Sequence, residues 1–207
     1  KKKVLSDITF QVKPGECVAI AGKNGCGKST LMQIMAGILK PDGGELCYFG
    51  KKAAYKSSTF RRFCGYVPQE NPLMEELTVQ DNLKLWGGSH NANTKELVAQ
   101  FQLEDLLQTE VSKLSGGMKR RLSIACALVE NPPFLLMDEP TTALDLYYKE
   151  SIHQWMKTYQ QKNGIILMTT HDESEIRNAD RCLFMDEGKV QELDAEDILQ
   201  KFAGMSE

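Results

Sequence analysis

An eight-residue glycine-rich segment constrains the possible fold of this chain more than any other feature. The segment, residues 22–29 (GKNGCGKS), directly follows a continuous apolar run at residues 17–21. A short uninterrupted apolar run is typical of a strand that is buried on both faces of a sheet. Apolar residues then recur at the spacing of a helix packed on one side, at Leu31, Ile34, Met35 and Ile38. The sequence therefore predicts a buried strand, a tight turn and a helix in direct succession.

The turn fits the phosphate-binding pattern G-x-x-x-x-G-K-[ST]. Glycines let the backbone curl so that its N–H groups converge on phosphate oxygens, and the following helix adds its positive N-terminal end. Lys28 can reach the β- and γ-phosphates of ATP, and Ser29 can ligate Mg²⁺. The alternative, a glycine-rich turn without a ligand, is disfavoured by the strand and helix that flank the segment. We therefore predict a site for ATP and Mg²⁺ that uses Gly22, Asn24, Gly25, Cys26, Gly27, Lys28, Ser29 and Thr30.

Two adjacent carboxylates follow a second apolar run, at residues 134–137. A buried strand that ends in Asp138 and Glu139 places both at the carboxyl edge of a sheet, where open α/β sheets bind ligands. Asp138 is predicted to hold Mg²⁺ through water. Glu139 is predicted to orient and polarise the attacking water as a general base. An acidic strand end without chemistry is the alternative, and the phosphate-binding pattern elsewhere in the chain weighs against it.

Charge and cysteine usage exclude other classes. The 207 residues carry 25 basic and 28 acidic side chains, a formal charge of −3, so the basic excess typical of nucleic-acid binding is missing. The short basic clusters at residues 1–3 and 119–121 are interpreted as solvated surface. No apolar run approaches the roughly 20 residues of a membrane-spanning helix, and no signal peptide pattern opens the chain. Six scattered cysteines without CxxC spacing favour neither zinc nor disulfides and are typical of a reducing cytosol.

Strand and helix patterns alternate at both ends of the chain, whereas residues 78–130 show only helical patterns. Strands are predicted at residues 8–12, 46–49, 65–67, 134–137, 165–170 and 181–185. Helices are predicted at residues 79–86, 94–103, 116–129 and 146–161, near Ser174 and after Asp194. Such alternation predicts an α/β protein with a mostly parallel sheet. The central part is then an all-helical insertion.

Four further motifs follow in a fixed order: Gln69 after Tyr66-Val67-Pro68, Leu114-Ser115-Gly116-Gly117-Met118, Ala143-Leu144-Asp145, and His171 after an apolar strand. With the two sites above, they make the chain similar to the nucleotide-binding domain of ABC transporters, from residue 4 to about residue 193. The resemblance implies a P-loop NTPase (RecA-like) core with a small antiparallel β subdomain. It implies one ABC ATPase domain over residues 1–207. Residues 1–70 and 131–207 would form the nucleotide-binding core. Residues 71–130 would form the helical subdomain, which carries the segment similar to the family signature, Leu114–Met118.

The resemblance also implies roles for single residues. Gln69 would be the Q-loop glutamine, which serves catalysis and Mg²⁺, and His171 the switch histidine. Two domains would pack head to tail, so that Ser115, Gly116 and Gly117 bind the ATP held by the other copy, with Asp145 in the D-loop. Catalysis would then depend on Glu139, His171, Lys28 and Gln69, and Mg²⁺ on Ser29, Gln69 and Asp138. The other histidines, His90 and His153, are interpreted as surface residues.

Departures from the family pattern are few. Met118 stands where many members carry Gln, which favours an exporter-type ATPase, and Thr142 stands where Ser is frequent. The aromatic residue that usually stacks on adenine is not found in this chain.

These features predict the ATP-hydrolysing subunit of an ABC transporter, peripheral on the cytoplasmic face of the membrane. Its partners would be a second ABC ATPase domain and an integral membrane permease subunit, and nucleic acid is not among them. The permease would dock near residues 69–86, on Leu73, Met74, Leu77 and Trp86. One alternative is a soluble ABC ATPase that acts on nucleic acid, ribosomes or cofactor assembly, but the chain has one such domain and no long coiled coil. Another is a nucleotide sensor without hydrolysis, which Glu139 and His171 oppose.

Overall fold

The computed structural model describes residues 3–87, 93–142 and 144–204. His90 and Ala143 lie outside the described residues. The strands are β1 (Cys17–Gly22), β2 (Cys47–Tyr48), β3 (Lys51–Lys52), β4 (Cys64–Val67), β5 (Phe134–Asp138), β6 (Ile165–Thr169), β7 (Arg181–Asp186) and β8 (Lys189–Leu193). The helices are α1 (Lys28–Met35), α2 (Ser58–Phe63), α3 (Val79–Gly87), α4 (Asn93–Gln100), α5 (Gly116–Leu128), α6 (Leu146–Gln161), α7 (Glu173–Asn178) and α8 (Ala195–Ala203).

A six-stranded sheet organises these elements, in the order β4-β5-β6-β1-β7-β8. All neighbouring strands run parallel except β7 and β8, which form an antiparallel hairpin at the edge. The strand β1 lies inside the sheet, between β6 and β7. The short strands β2 and β3 form a separate antiparallel pair. The α/β class with a mostly parallel sheet and a small antiparallel part is thereby confirmed.

The sheet separates two layers of core, and β1 contributes to both because successive strand side chains point to opposite faces. Cys17, Ala19 and Ala21 join the layer that contains apolar side chains of α3 to α8. Val18 and Ile20 join the other layer, with side chains of α1, α2 and β2. Full burial of a large aliphatic side chain such as Ile20, which is 0% exposed, stabilises the fold by about 1.5–3 kcal/mol. The apolar run is continuous because both faces of β1 are covered.

Helices α3, α4 and α5 occupy the connection from β4 to β5, and the described residues of this connection contain no strand. Helix α3 packs closely on the end of α5. A Cβ added at Gly87 would lie 1.7 Å from Val129 Cγ1, so only glycine permits this approach. Asn82, which is fully buried on α3, bonds the backbone of Met74 and of Thr78. This amide therefore fixes the turn that leads from the sheet into the helices.

The strand predicted at residues 8–12 is absent. Ile8, Phe10 and Val12 are half-buried and the residues between them are exposed, as the alternation indicated, but their backbone joins no strand ladder. Side-chain alternation reports burial on one face and not the presence of a hydrogen-bonding neighbour. The opposite error occurred at α2 and β8, which the sequence did not indicate. Strand β8 has mostly exposed side chains, so no apolar pattern marks it.

The sequence suggested that the basic cluster at residues 119–121 is solvated surface, and this interpretation is wrong for two of its three residues. Arg120 and Arg121 are only 4% and 5% exposed, because α5 turns this side toward the protein interior. Lys119 keeps 19% of its side chain exposed and pairs with Glu75 at 2.6 Å. Among the described residues, no helix has the length and apolar character that crossing a membrane requires.

Candidate functional site

The glycine-rich segment forms the connection from β1 to α1, as predicted. Gly27, the residue before α1, has a left-handed backbone with φ of 113°, which L-residues with side chains rarely adopt. At Gly22 a Cβ would lie 2.2 Å from the backbone oxygen of Met185, so a side chain is excluded there. Because Gly27 has no side chain, nothing caps the first-turn N–H groups of α1, and these remain available to an anion. The segment thus has the features of a phosphate-binding loop.

Lys28 is held inside this loop although it carries a charge. Its side chain is 6% exposed, and its Nζ donates to the backbone oxygen of Gly22 at 2.7 Å and of Lys23 at 3.1 Å. These two bonds fix an ammonium group beside the first turn of α1. Positive charge and free amide donors therefore converge at one point, which suits a polyphosphate.

A cleft of about 320 Å³ adjoins the loop and is lined by Asn24, Gly25, Lys28, Ser29, Gln69, Glu139 and His171. These residues come from four segments: the loop itself and the residues that follow β4, β5 and β6. The three strands end at the same edge of the sheet because they run parallel. The fold therefore brings seven of the residues that the sequence singled out to one cleft. Thr30, Asp138 and the remaining loop residues, which the sequence also singled out, do not line it.

Asp138 and Glu139 point to different surroundings although they are neighbours in the chain. Asp138 is 3% exposed and accepts a hydrogen bond from Thr169 Oγ1 at 2.5 Å. Glu139 has a left-handed backbone, with φ of 48°, and its N–H donates to the backbone oxygen of Thr169 at 3.1 Å. This turn after β5 carries the Glu139 side chain into the cleft while Asp138 stays against β6.

Three donors surround the Glu139 carboxylate. Gln69 Nε2 and Thr142 Oγ1 each donate to Oε2 at 3.1 Å. The imidazole of His171 lies on the other oxygen, with Nε2 3.2 Å from Oε1. Partial burial lowers the pKa of His171, and the charge of Lys28 acts in the same direction while Glu139 opposes both. A neutral imidazole with its proton on Nε2 can donate to Glu139.

Arg120 is a further residue of this site, and the sequence analysis did not identify it. Its guanidinium donates to five backbone oxygens: those of Pro68 and Gln69 after β4, that of Asp138 at the end of β5, and those of Glu139 and Pro140 after it. Burial lowers the pKa of Arg120 to about 10, although Asp138 and other acidic groups oppose the shift. The side chain therefore joins the two segments that carry Gln69 and Glu139. Helical spacing from Gly117, which is also buried, was the sequence signal that could have indicated its inward direction.

The residues of the Ser115 motif lie outside the cleft. Ser115 is the N-cap of α5 and accepts from the N–H of Met118 at 3.3 Å. Ser115 and Gly116 are exposed, and a Cβ at Gly116 would have open space around it. Asp145 likewise caps α6, by accepting from Tyr148 N–H at 3.1 Å, and does not line the cleft. A single copy of the described chain thus does not bring these residues to Lys28.

His153 is not a surface residue, contrary to the interpretation from sequence. Its side chain is 17% exposed, and Nε2 lies 3.4 Å from Oε1 of the buried Glu175. His90 lies outside the described residues.

The residues at the cleft fit Mg²⁺ better than a transition metal. The described residues contain no group of three or more His, Cys, Asp or Glu that could hold a metal ion. Mg²⁺ does not need such a group, because it keeps several waters and takes one or two protein ligands together with phosphate oxygens. Ser29 at the cleft and Asp138 at the end of β5 supply oxygen atoms of the kind that it prefers.

A phosphate-binding loop between a buried strand and a helix, with a carboxylate at the end of another strand of the same sheet, defines a P-loop NTPase. The ABC transporter family profile matches residues 5–142 of the chain. The chain therefore belongs to the ABC transporter family, as a nucleotide-binding domain, and is an ATPase.

Several proteins named "Nod factor export ATP-binding protein I" are similar to the chain. The one from Rhizobium etli is 35% identical over 98% of this chain and 67% of its own length. The one from Paraburkholderia xenovorans is 37% identical, and the match covers 91% of this chain and 65% of that protein. The one from Sinorhizobium fredii is 34% identical, and the match covers 91% of this chain and 57% of that protein. The chain thus spans between 57% and 67% of the length of these three relatives.

Solved structures of the family superpose closely. A dimeric post-hydrolysis state of an ATP-binding cassette bound to ADP and Pi has a TM-score of 0.83 and 30% identity, over 93% of this chain and 90% of that one. A bacterial Atm1-family ABC exporter with ATP bound has a TM-score of 0.85 and 29% identity, and the match covers 99% of this chain and 38% of that one. The P-loop NTPase fold is therefore confirmed.

Proposed function

We propose that this chain powers an export system by hydrolysing ATP at the cleft beside its phosphate-binding loop. The main support for this proposal is the position of Glu139. Its carboxylate is held by Gln69, Thr142 and His171 in the same cleft as Lys28. A fixed carboxylate near a fixed ammonium provides both a general base for water and a positive charge for the phosphates.

Each residue then has a separate role. Lys28 and the first-turn amides of α1 hold the β- and γ-phosphates. Ser29, Asp138 and Gln69 hold Mg²⁺, which neutralises phosphate charge when bound. Glu139 accepts the hydrogen bond of the attacking water and orients it, and His171 fixes the Glu139 carboxylate from the opposite side. Asn24, Gly25, Cys26 and Thr30 complete the loop around the phosphates.

Hydrolysis on this proposal requires a second ABC ATPase domain. Ser115 and Gly116 are exposed and lie outside the cleft, yet a serine N-cap with open space beside the next residue suits an anion. We infer that Ser115, Gly116, Gly117 and Asp145 meet the nucleotide held by the other domain. The division into a core (residues 1–70 and 131–207) and a helical subdomain (residues 71–130) would let the two parts move with nucleotide.

The dimer is tested by mass. In Glu139→Gln, which is expected to bind ATP without turnover, ATP should raise the mass measured by light scattering to roughly twice that of the 23.3 kDa chain. Adding Ser115→Arg should keep the mass at one chain while calorimetry still detects ATP binding. Gln154→Arg, a charge of the same size on the exposed part of α6, is the control and should dimerise normally. A dimer that survives Ser115→Arg would contradict the head-to-tail arrangement.

An integral membrane permease is the second proposed partner, and it would hold the chain at the cytoplasmic face of the membrane. The apolar side chains of Met74, Leu77, Leu85 and Trp86 are exposed by 55%, 36%, 61% and 46%. Met74 and Leu77 lie in the segment that leads from Gln69 into α3, and Leu85 and Trp86 lie on α3 itself. Leu73, by contrast, is partly buried against the core and is the weakest of the sequence-predicted contacts. The relatives are named as export proteins, and we extend the direction of transport, not the cargo, to this chain.

This surface is tested in the complex with the permease. Leu85→Asp and Trp86→Asp should release the chain from permease-containing membranes and leave ATP binding in solution intact. Ile38→Asp, at a side chain that is 51% exposed and follows α1, is the matched control. Retention of both α3 variants on the membranes would place the permease contact elsewhere.

A further inference from the structure

A buried carboxylate outside the cleft connects the two segments that carry Glu139 and His171. Glu175, on α7, is 2% exposed. Its Oε1 accepts a hydrogen bond from Thr141 Oγ1 at 2.8 Å, and its Oε2 accepts one from Thr170 Oγ1. Thr141 lies two residues after Glu139, and Thr170 directly precedes His171. One side chain therefore joins the connection after β5 to the connection after β6.

The ordinary role of a glutamate at this position would be helix capping. Asp172 is the N-cap of α7, and Glu175 follows it by three residues, the spacing at which a glutamate reaches back to the N-cap N–H. In this structure that N–H donates to Thr170 Oγ1 instead, at 2.9 Å. Glu175 is therefore released from capping and turned into the interior of the protein.

The bonds of Glu175 have a fixed direction. A carboxylate only accepts, so Thr141 and Thr170 must both donate to it. Thr170 Oγ1 meanwhile accepts from Asp172 N–H, which leaves its hydroxyl hydrogen for Glu175. The two threonines are 1% and 2% exposed, so water cannot easily replace the bonds. From α6, His153 Nε2 approaches Oε1 at 3.4 Å. Such a buried and connected network specifies one arrangement of the groups it joins.

We propose that Glu175 is a positioning residue, which sets the contact between Glu139 and His171 through its bonds to Thr141 and Thr170. The inference rests on the proposed function in one respect: Glu139 and His171 are the groups that are positioned. Glu175 itself does not line the cleft and does not touch the nucleotide site. Its removal should therefore affect the rate of turnover and not the affinity for nucleotide.

The valine variants Thr141→Val and Thr170→Val test this with little change of shape. Loss of either hydroxyl should loosen the contact between Glu139 and His171. The pKa of His171, read from a histidine NMR titration of the full chain, should then fall, because Glu139 raises it. The value of kcat should drop by about 10- to 100-fold, the usual effect of a displaced catalytic group. The KM for ATP and the affinity for ADP should not change, because Lys28 and its loop are untouched.

Matched variants separate positioning from general stability. Thr158→Val removes a hydroxyl on the exposed part of α6 and should change neither kcat nor the His171 titration. Serine at position 141 or 170 restores the hydroxyl and should restore both. Glu175→Gln can keep both bonds, with its carbonyl toward Thr170 and its amide toward Thr141, and should retain most of kcat.

Two results would overturn the proposal. One is a valine variant that melts at a lower temperature but keeps the wild-type kcat and His171 pKa, since Glu175 would then be structural only. If the valine variants do not fold, Glu175→Asp serves instead, because the shorter side chain cannot reach both threonines. Wild-type kcat and His171 titration in Glu175→Asp is the second overturning result. Failure of the proposed function would look different: Glu139→Gln would hydrolyse ATP like the wild type, whatever the His171 titration shows.

Discussion

Glu139 Oε1 and His171 Nε2 lie 3.2 Å apart across the carboxyl ends of two adjacent strands. The strands β5 and β6 run parallel, with Asp138 opposite Thr169, so the residues that follow them leave the sheet at the same edge. The left-handed backbone of Glu139 then directs its carboxylate toward the imidazole. The contact thus depends on strand pairing and on one local backbone conformation, although 31 residues lie between the two along the chain.

Replacing Glu139 with glutamine should leave ATP binding unchanged and lower the ATPase rate by about 10²- to 10⁴-fold, the contribution expected of a general base. The amide keeps the shape of the side chain and can still bond Gln69 or Thr142. The rate is measured by phosphate release, and the affinity by calorimetry. A variant that turns over at the wild-type rate would show that the base is another group.

Lys28→Ala should weaken ATP binding by at least about 30-fold, because truncating one partner of a buried charge contact costs about 2–5 kcal/mol. Lys23→Ala is the matched control: its side chain is exposed, and only its backbone oxygen contacts Lys28. Calorimetry with ATP and Mg²⁺ compares the two. Equal affinities in the two variants would contradict the assignment of the loop.

Arg120→Ala should lower the free energy of unfolding by about 3–5 kcal/mol, because buried carbonyl oxygens after β4 and β5 lose their donor. Arg177→Ala is the control, since this exposed arginine forms surface ion pairs with Glu173 and Glu196, and its loss should change stability little. Urea denaturation followed by circular dichroism measures both. Comparable losses of unfolding free energy in the two variants would mean that Arg120 does not hold the segments after β4 and β5 together.

Acid should selectively weaken the start of α7. Partial burial opposes the shift, but bonds from Lys149 and Ser174 hold the pKa of Asp172 at about 2, below its usual 3.8. Between those pH values the unfolded chain binds more protons, so the contribution of Asp172 is complete above about pH 4 and is lost as the pH falls toward 2.

Lys149→Met removes the cation of that pair, whose Nζ lies 2.7 Å from Asp172 Oδ2. The variant should therefore be less stable than the wild type near neutral pH, and the difference should shrink in acid. Urea midpoints measured across this range decide the point. A difference that is independent of pH would attribute the effect of Lys149 to packing.

Local sequence patterns were sufficient where one segment determines its own structure. The glycine-rich loop between β1 and α1 was predicted because its glycines and its flanking apolar patterns are contiguous. Helix α6 has the predicted bounds, since Asp145 caps it and its apolar residues keep a regular spacing. Strand β8 was missed for the converse reason: it is stabilised by pairing with β7 and not by an apolar pattern of its own.

The sequence by itself determined which chemical groups this protein has and the local elements that carry them: the phosphate-binding loop, the paired acids after β5 and the histidine after β6. Tertiary structure alone decided which of these groups meet. Strand order places β5 between β4 and β6, so that Gln69, Glu139 and His171 share one edge of the sheet. Helix packing buries Arg120 against that edge and turns Glu175 toward Thr141 and Thr170. These contacts join residues that are distant along the chain, so their energy depends on the packing of the whole domain and not on any local pattern.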